Sequence, residues 1–196
     1  MSVTSPPVRV VIAEDEPLIR LDLRESLEEE GYEVVGEAGD GAEAVALVRE
    51  LRPDVAILDI KMPGVDGLAA ARDIVGERLA AVVVLTAFSQ RELIEQARDA
   101  GALQYLVKPF ERRELVPAIE LSIARFRELV ALSDQAEALT EQLETRKVVD
   151  RAKGKLMDGH GMSEQDAFRF LQTTAMGSRS SMREVAEKVI ADELTP

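Results

Sequence analysis

Short apolar runs alternate with stretches of helical period from residue 8 to about residue 125. Val8, Val10, Val11 and Ile12 form the first run, and Val34 and Val35 a weaker second. Val55 to Leu58 form a third, Val82 to Leu85 a fourth and Tyr105 to Val107 a fifth. Apolar residues at consecutive positions, many of them β-branched, suit strands buried on both faces. The stretches between them predict helices. Leu18, Leu21 and Leu27 lie along one, Ala42 to Val48 fill a second and Leu68 to Val75 a third. Leu93, Ile94 and Ala97 stripe a fourth, and a fifth starts after Phe110. Five strand-then-helix units in order predict an α/β fold, a doubly wound five-stranded parallel sheet over residues 8–125 behind a short flexible tail, residues 1–7. In such a sheet ligands bind beyond the carboxyl ends of the strands.

The apolar pattern continues past this domain. Leu115, Ile119, Ser122 and Phe126 are spaced 4, 3 and 4 apart, and Leu129, Leu132, Ala136, Leu139 and Leu143 continue in steps of 3 and 4. This is a heptad-like seam, flanked by Arg, Glu and Gln. No glycine falls between Ala102 and Lys153, and Pro117 sits early enough to be tolerated. The spacing therefore predicts one long helix, with residues 126–145 as a coiled-coil-like linker. The seam has two readings: packing within its own chain, or pairing with a second copy. Residues 146–196 then carry three helical patterns, a small all-α domain. Val148, Val149, Ala152, Leu156 and Met157 mark the first, which ends near Gly159 to Gly161. Ser163 opens the second, Ala167, Phe168, Phe170, Leu171 and Ala175 give its apolar side, and Gly177 and Ser178 close it. Met182, Val185, Ala186, Val189 and Ile190 mark the third.

The length of 196 residues holds one large domain or two small ones, and 46% hydrophobic residues suffice for packed cores. The absence of cysteine excludes disulfides, thiolate metal sites and a cysteine nucleophile. No apolar run reaches the ~18 residues of a membrane span. The first seven residues lack the basic start and apolar core of a signal peptide, so no membrane and a cytoplasmic location are expected. The net charge of −13 argues at first against nucleic acid. It is unevenly placed, however. Residues 146–196 hold nine basic and eight acidic side chains, a net +1, whereas residues 1–145 hold 15 and 29, a net −14.

The chemistry lies at the strand ends. Glu14, Asp15 and Glu16 follow the first run, Asp59 the third, Thr86 and Ala87 the fourth, and Lys108 and Pro109 the fifth. Carboxylates gathered at one sheet edge repel one another and call for a cation. Oxygen ligands without His or Cys suit Mg²⁺. Lys108 and Thr86 then bind an anion beside it, an arrangement suited to phosphoryl transfer onto a carboxylate. A plainer reading has Asp15 and Glu16 start the helix at Pro17 and Asp59 serve as a turn residue. Asp66 and Gly67 read as turn chemistry.

The ordered set Glu14-Asp15, Asp59 to Pro63, Gly64 to Gly67, Thr86-Ala87 and Lys108 to Phe110 resembles the receiver domain of two-component response regulators. The resemblance implies a flavodoxin-like fold and a phosphoryl group accepted by Asp59 from a sensor histidine kinase. It implies Mg²⁺ on Asp15 and Asp59, helped by the backbone carbonyl of Lys61. Glu14, where the family often has Asp, acts on the metal through water. Lys108 pairs with the phosphoryl oxygens, and its bond to Pro109 is expected to be cis. Thr86 follows the phosphate and Tyr105 rotates with it, although Tyr105 also reads as a core aromatic.

Ala152 to Gly154, Leu156-Met157, Met162 to Glu164, Ala167-Phe168, Leu171 and Ala175-Met176 resemble the ANTAR domain, an RNA-binding module of transcription antiterminators. The resemblance implies binding of RNA hairpins in nascent transcripts, whose loops expose unstacked bases. Carried over by position, Lys153, Gly154, Lys155, Arg169, Arg179 and Ser180 form the RNA face. A glycine in mid-helix, Gly154, hints at close approach by another backbone or a ligand. Gln172 and Thr173 stand where members often carry basic residues. Phe168 and Phe170 are expected in the core, and His160, in a glycine-flanked turn, is expected to be non-catalytic. As a whole the chain is similar to actinobacterial regulators that antiterminate transcription upon phosphorylation, with a homodimer through the 115–143 helix in the phosphorylated state. A DNA-binding response regulator is the alternative. A helix-turn-helix needs a basic recognition helix, and the third helix, read from Met182 to Leu194, is nearly charge-balanced. An enzyme or phosphorelay reading lacks both a hydrolase constellation and an exposed helical His.

Overall fold

The structure, a computed structural model, describes residues 6–87 and 91–196, apart from the side chains of residues 91–94. Residues 1–5 of the expected tail, and the side chains of Leu93 and Ile94 in the expected fourth stripe, lie outside the described residues. Two compact units divide the chain, Met1–Ala131 and Leu132–Pro196.

The first unit runs β1 (Arg9–Ala13), α1 (Pro17–Glu29), β2 (Glu33–Ala38), α2 (Gly41–Leu51), β3 (Val55–Asp59), α3 (Gly67–Gly76), β4 (Ala81–Thr86), α4 (Arg91–Asp99), β5 (Gln104–Val107) and the start of α5 (Arg112–His160). The strands form one parallel sheet in the order β2-β1-β3-β4-β5. Every residue of β3 and β4 is buried, because side chains of alternating direction meet helices on both faces. Val11, Ala56, Leu58, Val82 and Val84 pack with Ala44, Val48, Ala70 and Ile74 on one face. Val10, Ile12, Ile57, Val83 and Leu85 pack with Leu23, Leu27, Leu115 and Ile119 on the other. The second apolar run is weak because β2 is an edge strand and mostly half-buried. Strand order reverses between β1 and β3, and their carboxyl ends form the crevice where a ligand is expected.

The α1 pattern needs correction. Leu18 is 82% and Leu21 50% exposed, while Leu23, Ser26 and Leu27 are buried. Nine residues at 100° each place Leu18 half a turn away from Leu27, so the two leucines cannot share a face.

The long helix forms as the spacing predicts, with Pro117 in its second turn. The seam divides along its length. Leu115, Ile119 and Ser122 are buried and Phe126 is partly buried within the first unit. Tyr32 Oη donates to Glu120 at 3.0 Å, and Arg127 pairs with Asp54 at 3.1 Å, holding this part of α5 to the sheet. Beyond the sheet's reach Leu129, Leu132, Leu139 and Leu143 are each more than half exposed.

The second unit comprises the end of α5, α6 (Glu164–Ser178) and α7 (Met182–Ile190). Gly161, at φ +63°, stops α5 by donating its N–H to the Met157 carbonyl. Ser163 caps α6, and Ser181 and Glu184 form a reciprocal cap on α7. Two boundaries differ from expectation. Gly177 lies inside α6, and Arg179 takes the left-handed position that ends it. The third helix stops at Ile190 rather than Leu194, before Asp192 at φ +61°. Val149, Ala152 and Leu156 of α5 pack with Ala167, Leu171 and Ala175 of α6 and with Val185, Ala186 and Val189 of α7. The alanines let the helices approach closely. Among the described residues no helix is long and apolar enough to cross a membrane.

Candidate functional site

The carboxyl ends of the central strands bring Glu14, Asp59, Thr86 and Lys108 to one cleft of about 620 Å³. Asp59 ends β3 and is 6% exposed; Glu14 follows β1 and is 1% exposed; Thr86 ends β4 and is 3% exposed. Lys108, just after β5, reaches between the two carboxylates. Its ammonium donates to Glu14 and lies 2.7 Å from Asp59 Oδ1. The Lys108 N–H also donates to the Thr86 carbonyl at 2.7 Å, and the Lys108–Pro109 bond is cis. Asp59 Oδ2 accepts the Lys61 N–H at 2.9 Å. Asp15 is exposed at the rim, and carboxylate oxygens of Glu14, Asp15 and Asp59 lie within 4.8 Å of one another.

Burial pushes the Glu14 carboxyl above its usual value, and the Asp59 charge adds to this, together outweighing Lys108. Burial alone lowers the Lys108 ammonium, but the hydrogen bonds and charges of Asp59 and Glu14 together hold it above its usual value. Three carboxylates so close repel one another, and the donor set fits a divalent cation that prefers oxygen. Lys108 beside them supplies a positive charge to the cleft. Tyr105 pairs with Val84 in the sheet but is 41% exposed, so it is not a core aromatic.

The loop after Asp59 shows what the sequence reading missed. Asp66 caps α3 by accepting from the Ala69 N–H at 2.7 Å, but Gly67 is more than turn chemistry. A Cβ there would stand 1.9 Å from the Asp59 carbonyl oxygen, and one on Gly41 would stand 2.5 Å from the Val65 carbonyl. Both glycines donate into this loop, to Ile60 and Val65. Close backbone approach leaves no signal in hydrophobic periodicity.

In the second unit the candidate RNA residues separate into groups. Lys153 is paired at 2.8 Å with both Asp150 and Glu164, and its side chain is 16% exposed. Arg169 is 72% exposed and 3.8 Å from Asp166. Arg179 is exposed and Ser180 half-buried in the turn between α6 and α7. Lys155 is held elsewhere, its ammonium 2.7 Å from both the Ile190 carbonyl and the Asp192 carboxylate at the end of α7. Phe170 packs partly against the core, but Phe168, expected there too, is 44% exposed. It sits one position past buried Ala167 and turns away from the helix contacts.

Among the described residues no other backbone approaches Gly154 closely, since a Cβ there would meet nothing within 4 Å, and of the two expected reasons for this glycine that leaves the ligand. A helix-interior glycine costs about 0.5–1 kcal/mol relative to alanine. Gly154→Ala is therefore expected to raise the melting temperature of the C-terminal unit by a few degrees in calorimetry. A lowered one would contradict the open surroundings of this position.

Two family models match this chain. That of the response regulator receiver domain matches residues 10–120, and that of the ANTAR domain residues 137–190. The transcriptional regulatory protein PdtaR of Mycobacterium tuberculosis is 58% identical over 190 residues, 97% of this chain and 93% of the relative. The chemotaxis protein CheY of Thermotoga maritima is 38% identical over 57% of this chain and 93% of its own. Among solved structures, the signal receiver domain of the response regulator NarL from Mycobacterium tuberculosis superposes with a TM-score of 0.57 at 38% identity, over 59% of this chain and 94% of that one. The five-stranded unit, the helical unit that follows it and the near-full-length match to a transcriptional regulator agree. The chain belongs to the two-component response regulators that join a receiver domain to an ANTAR domain.

Proposed function

We propose that a sensor histidine kinase phosphorylates Asp59 and that the ANTAR unit then binds RNA hairpins in nascent transcripts, causing antitermination. The observation that carries the first step is Lys108 between two buried carboxylates at the sheet's switch point. In that step an Asp59 carboxylate oxygen attacks phosphorus, the phosphorus–nitrogen bond of the kinase phosphohistidine breaks, and the imidazole keeps the electron pair. Asp15 and Asp59, with Glu14 and the Lys61 carbonyl, would hold Mg²⁺, which would supply charge neutralisation for the incoming phosphoryl group. Lys108 moves from bridging carboxylates to pairing with phosphoryl oxygens, while Thr86 and Tyr105 adjust around the new group. Loss of the phosphoryl group resets a switch; the chain turns over no substrate. Kinase, nascent RNA and this chain meet in the cytoplasm.

The exposed leucines of α5 support a homodimer in the phosphorylated state, which presents two ANTAR units to paired hairpins. Joined modules gain affinity by effective concentration. Replacing both Leu139 and Leu143 with Glu is expected to weaken dimerisation more than about 10-fold, since each buried leucine contributes roughly 1.5–3 kcal/mol. Sedimentation of the chain treated with acetyl phosphate checks this, and equal dimer mass in the variant would refute the seam. The test of the function as a whole is binding of the phosphorylated chain to tandem RNA hairpins against duplex DNA of matched length. Preference for RNA is expected; preference for DNA would establish the alternative transcription factor reading.

A further inference from the structure

The two sides of α6 differ by one residue in register. Ala167, Leu171 and Ala175 recur every four residues and are buried. Phe168, Gln172 and Met176 recur at the same interval and are exposed, Phe168 by 44% and Met176 by 75%. Phe168 borders a groove of about 410 Å³ lined also by Lys153, Glu164, Gln165, Arg169 and Gln172. Phe168 also lines a second groove, with Ala138, Glu141, Gln142, Arg146, Val149 and Met182. We propose that Phe168 is a stacking platform for an unpaired RNA base. The proposal rests on the RNA-binding reading and adds a residue and a mode of contact to it.

The surroundings favour a base over a protein partner. A docking helix or second copy wants a continuous apolar strip. Along α6 the exposed apolar side chains form no such strip, because Phe168 and Met176 are eight residues, about 12 Å, apart with Gln172 between them, and the apolar patch that Phe168 shares with Ala138, Val149 and Met182 is bordered by Glu141, Gln142 and Arg146. A flat base needs only one aromatic face, which stacks with any base. The Gln165 and Gln172 amides each offer donors and an acceptor for a base edge. Arg169 and Arg146, 72% and 82% exposed, each line a groove beside Phe168 and are only loosely engaged, 3.8 Å from Asp166 and 3.9 Å from Asp150, which leaves their charge open to a phosphate. Lys153 contributes less charge than its type suggests, since Asp150 and Glu164 hold it. Stacking therefore carries more of the affinity at this groove than ion pairing does.

The chain contains no tryptophan, so Phe168→Trp supplies a single reporter in the full-length protein. The probe is a pool of tandem RNA hairpins with randomised loops, with blunt RNA duplex as control. Tryptophan emission is expected to be quenched by the hairpins and not by the duplex. Phe168→Leu, which keeps apolar bulk, is expected to lower hairpin affinity about 5- to 100-fold. Its melting temperature and phosphate uptake should stay unchanged. Unquenched emission together with Phe168→Leu affinity within twofold of the parent overturns the platform while leaving RNA binding intact. A loss of dimer mass in Phe168→Leu with unchanged RNA affinity also overturns it and assigns the face to a second copy. No hairpin binding by the parent chain overturns both the platform and the RNA-binding reading.

Discussion

Asp59→Asn is expected to abolish phosphate uptake from acetyl phosphate, lowering its rate at least about 100-fold by mass spectrometry of the intact chain. Asn keeps the size of the side chain and one of its oxygens but loses the nucleophilic carboxylate. Asp59 is the carboxylate of this cleft held by both the Lys108 ammonium and the Lys61 N–H. Glu14 is 1% exposed and engaged by Lys108, and Asp15 lies at the exposed rim. The fold should survive, for Lys108 keeps its bond to Glu14. Burial raises the Glu14 carboxyl first and the charge of Asp59 raises it further. Removing that charge relieves part of the repulsion, so the melting temperature should hold or rise. Phosphate uptake retained by the variant would place the acceptor on another residue.

Gly67→Ala is expected to be the most damaging small substitution in the first unit. The added methyl would stand 1.9 Å from the Asp59 carbonyl oxygen, 2.8 Å from its carbon and 3.2 Å from the Ile60 Cα. All three are backbone atoms, which cannot swing aside as a side chain does. The α3 N-terminus must move away, straining the Gly67 to Ile60 hydrogen bond and the cap from Asp66. A loss of roughly 2–4 kcal/mol follows, lowering the melting temperature by about 5–15 °C. Phosphate uptake should fall as well, because the displaced backbone carries the acceptor. Gly76→Ala is the control: it ends the same helix with nothing within 4 Å of a Cβ, and it should leave both quantities nearly unchanged. Equal stability of the two variants in thermal denaturation would refute the close approach.

The central strands were legible because burial on both faces leaves unbroken apolar runs. The gathering of Glu14, Asp59, Thr86 and Lys108 followed from those runs, since each residue stands directly behind a strand that ends at the same edge. Periodicity was less informative where residue type and direction part. Leu18 and Leu21 are apolar but point outward, and Phe168 is aromatic but faces water. A basic residue's sequence position likewise does not say what it pairs with, as Lys155 at the end of α7 shows. The end of α6 was misplaced because Arg179 adopts a left-handed conformation usually left to glycine. Gly67 was undervalued because its reason is another strand end, not its own neighbours. The seam changes role where the sheet ends, and a heptad pattern carries no mark of that point.

The proposed switch is phosphorylation of Asp59 controlling RNA binding by the ANTAR unit. Crosslinking in cells followed by sequencing of the bound RNA tests it most directly, with the parent chain compared with Asp59→Asn under the inducing stimulus. The parent chain is expected to enrich transcripts with paired hairpins overlapping a terminator, and the variant to lose this enrichment. An identical set of bound RNAs from the variant, or no RNA enrichment from the parent chain, would contradict it.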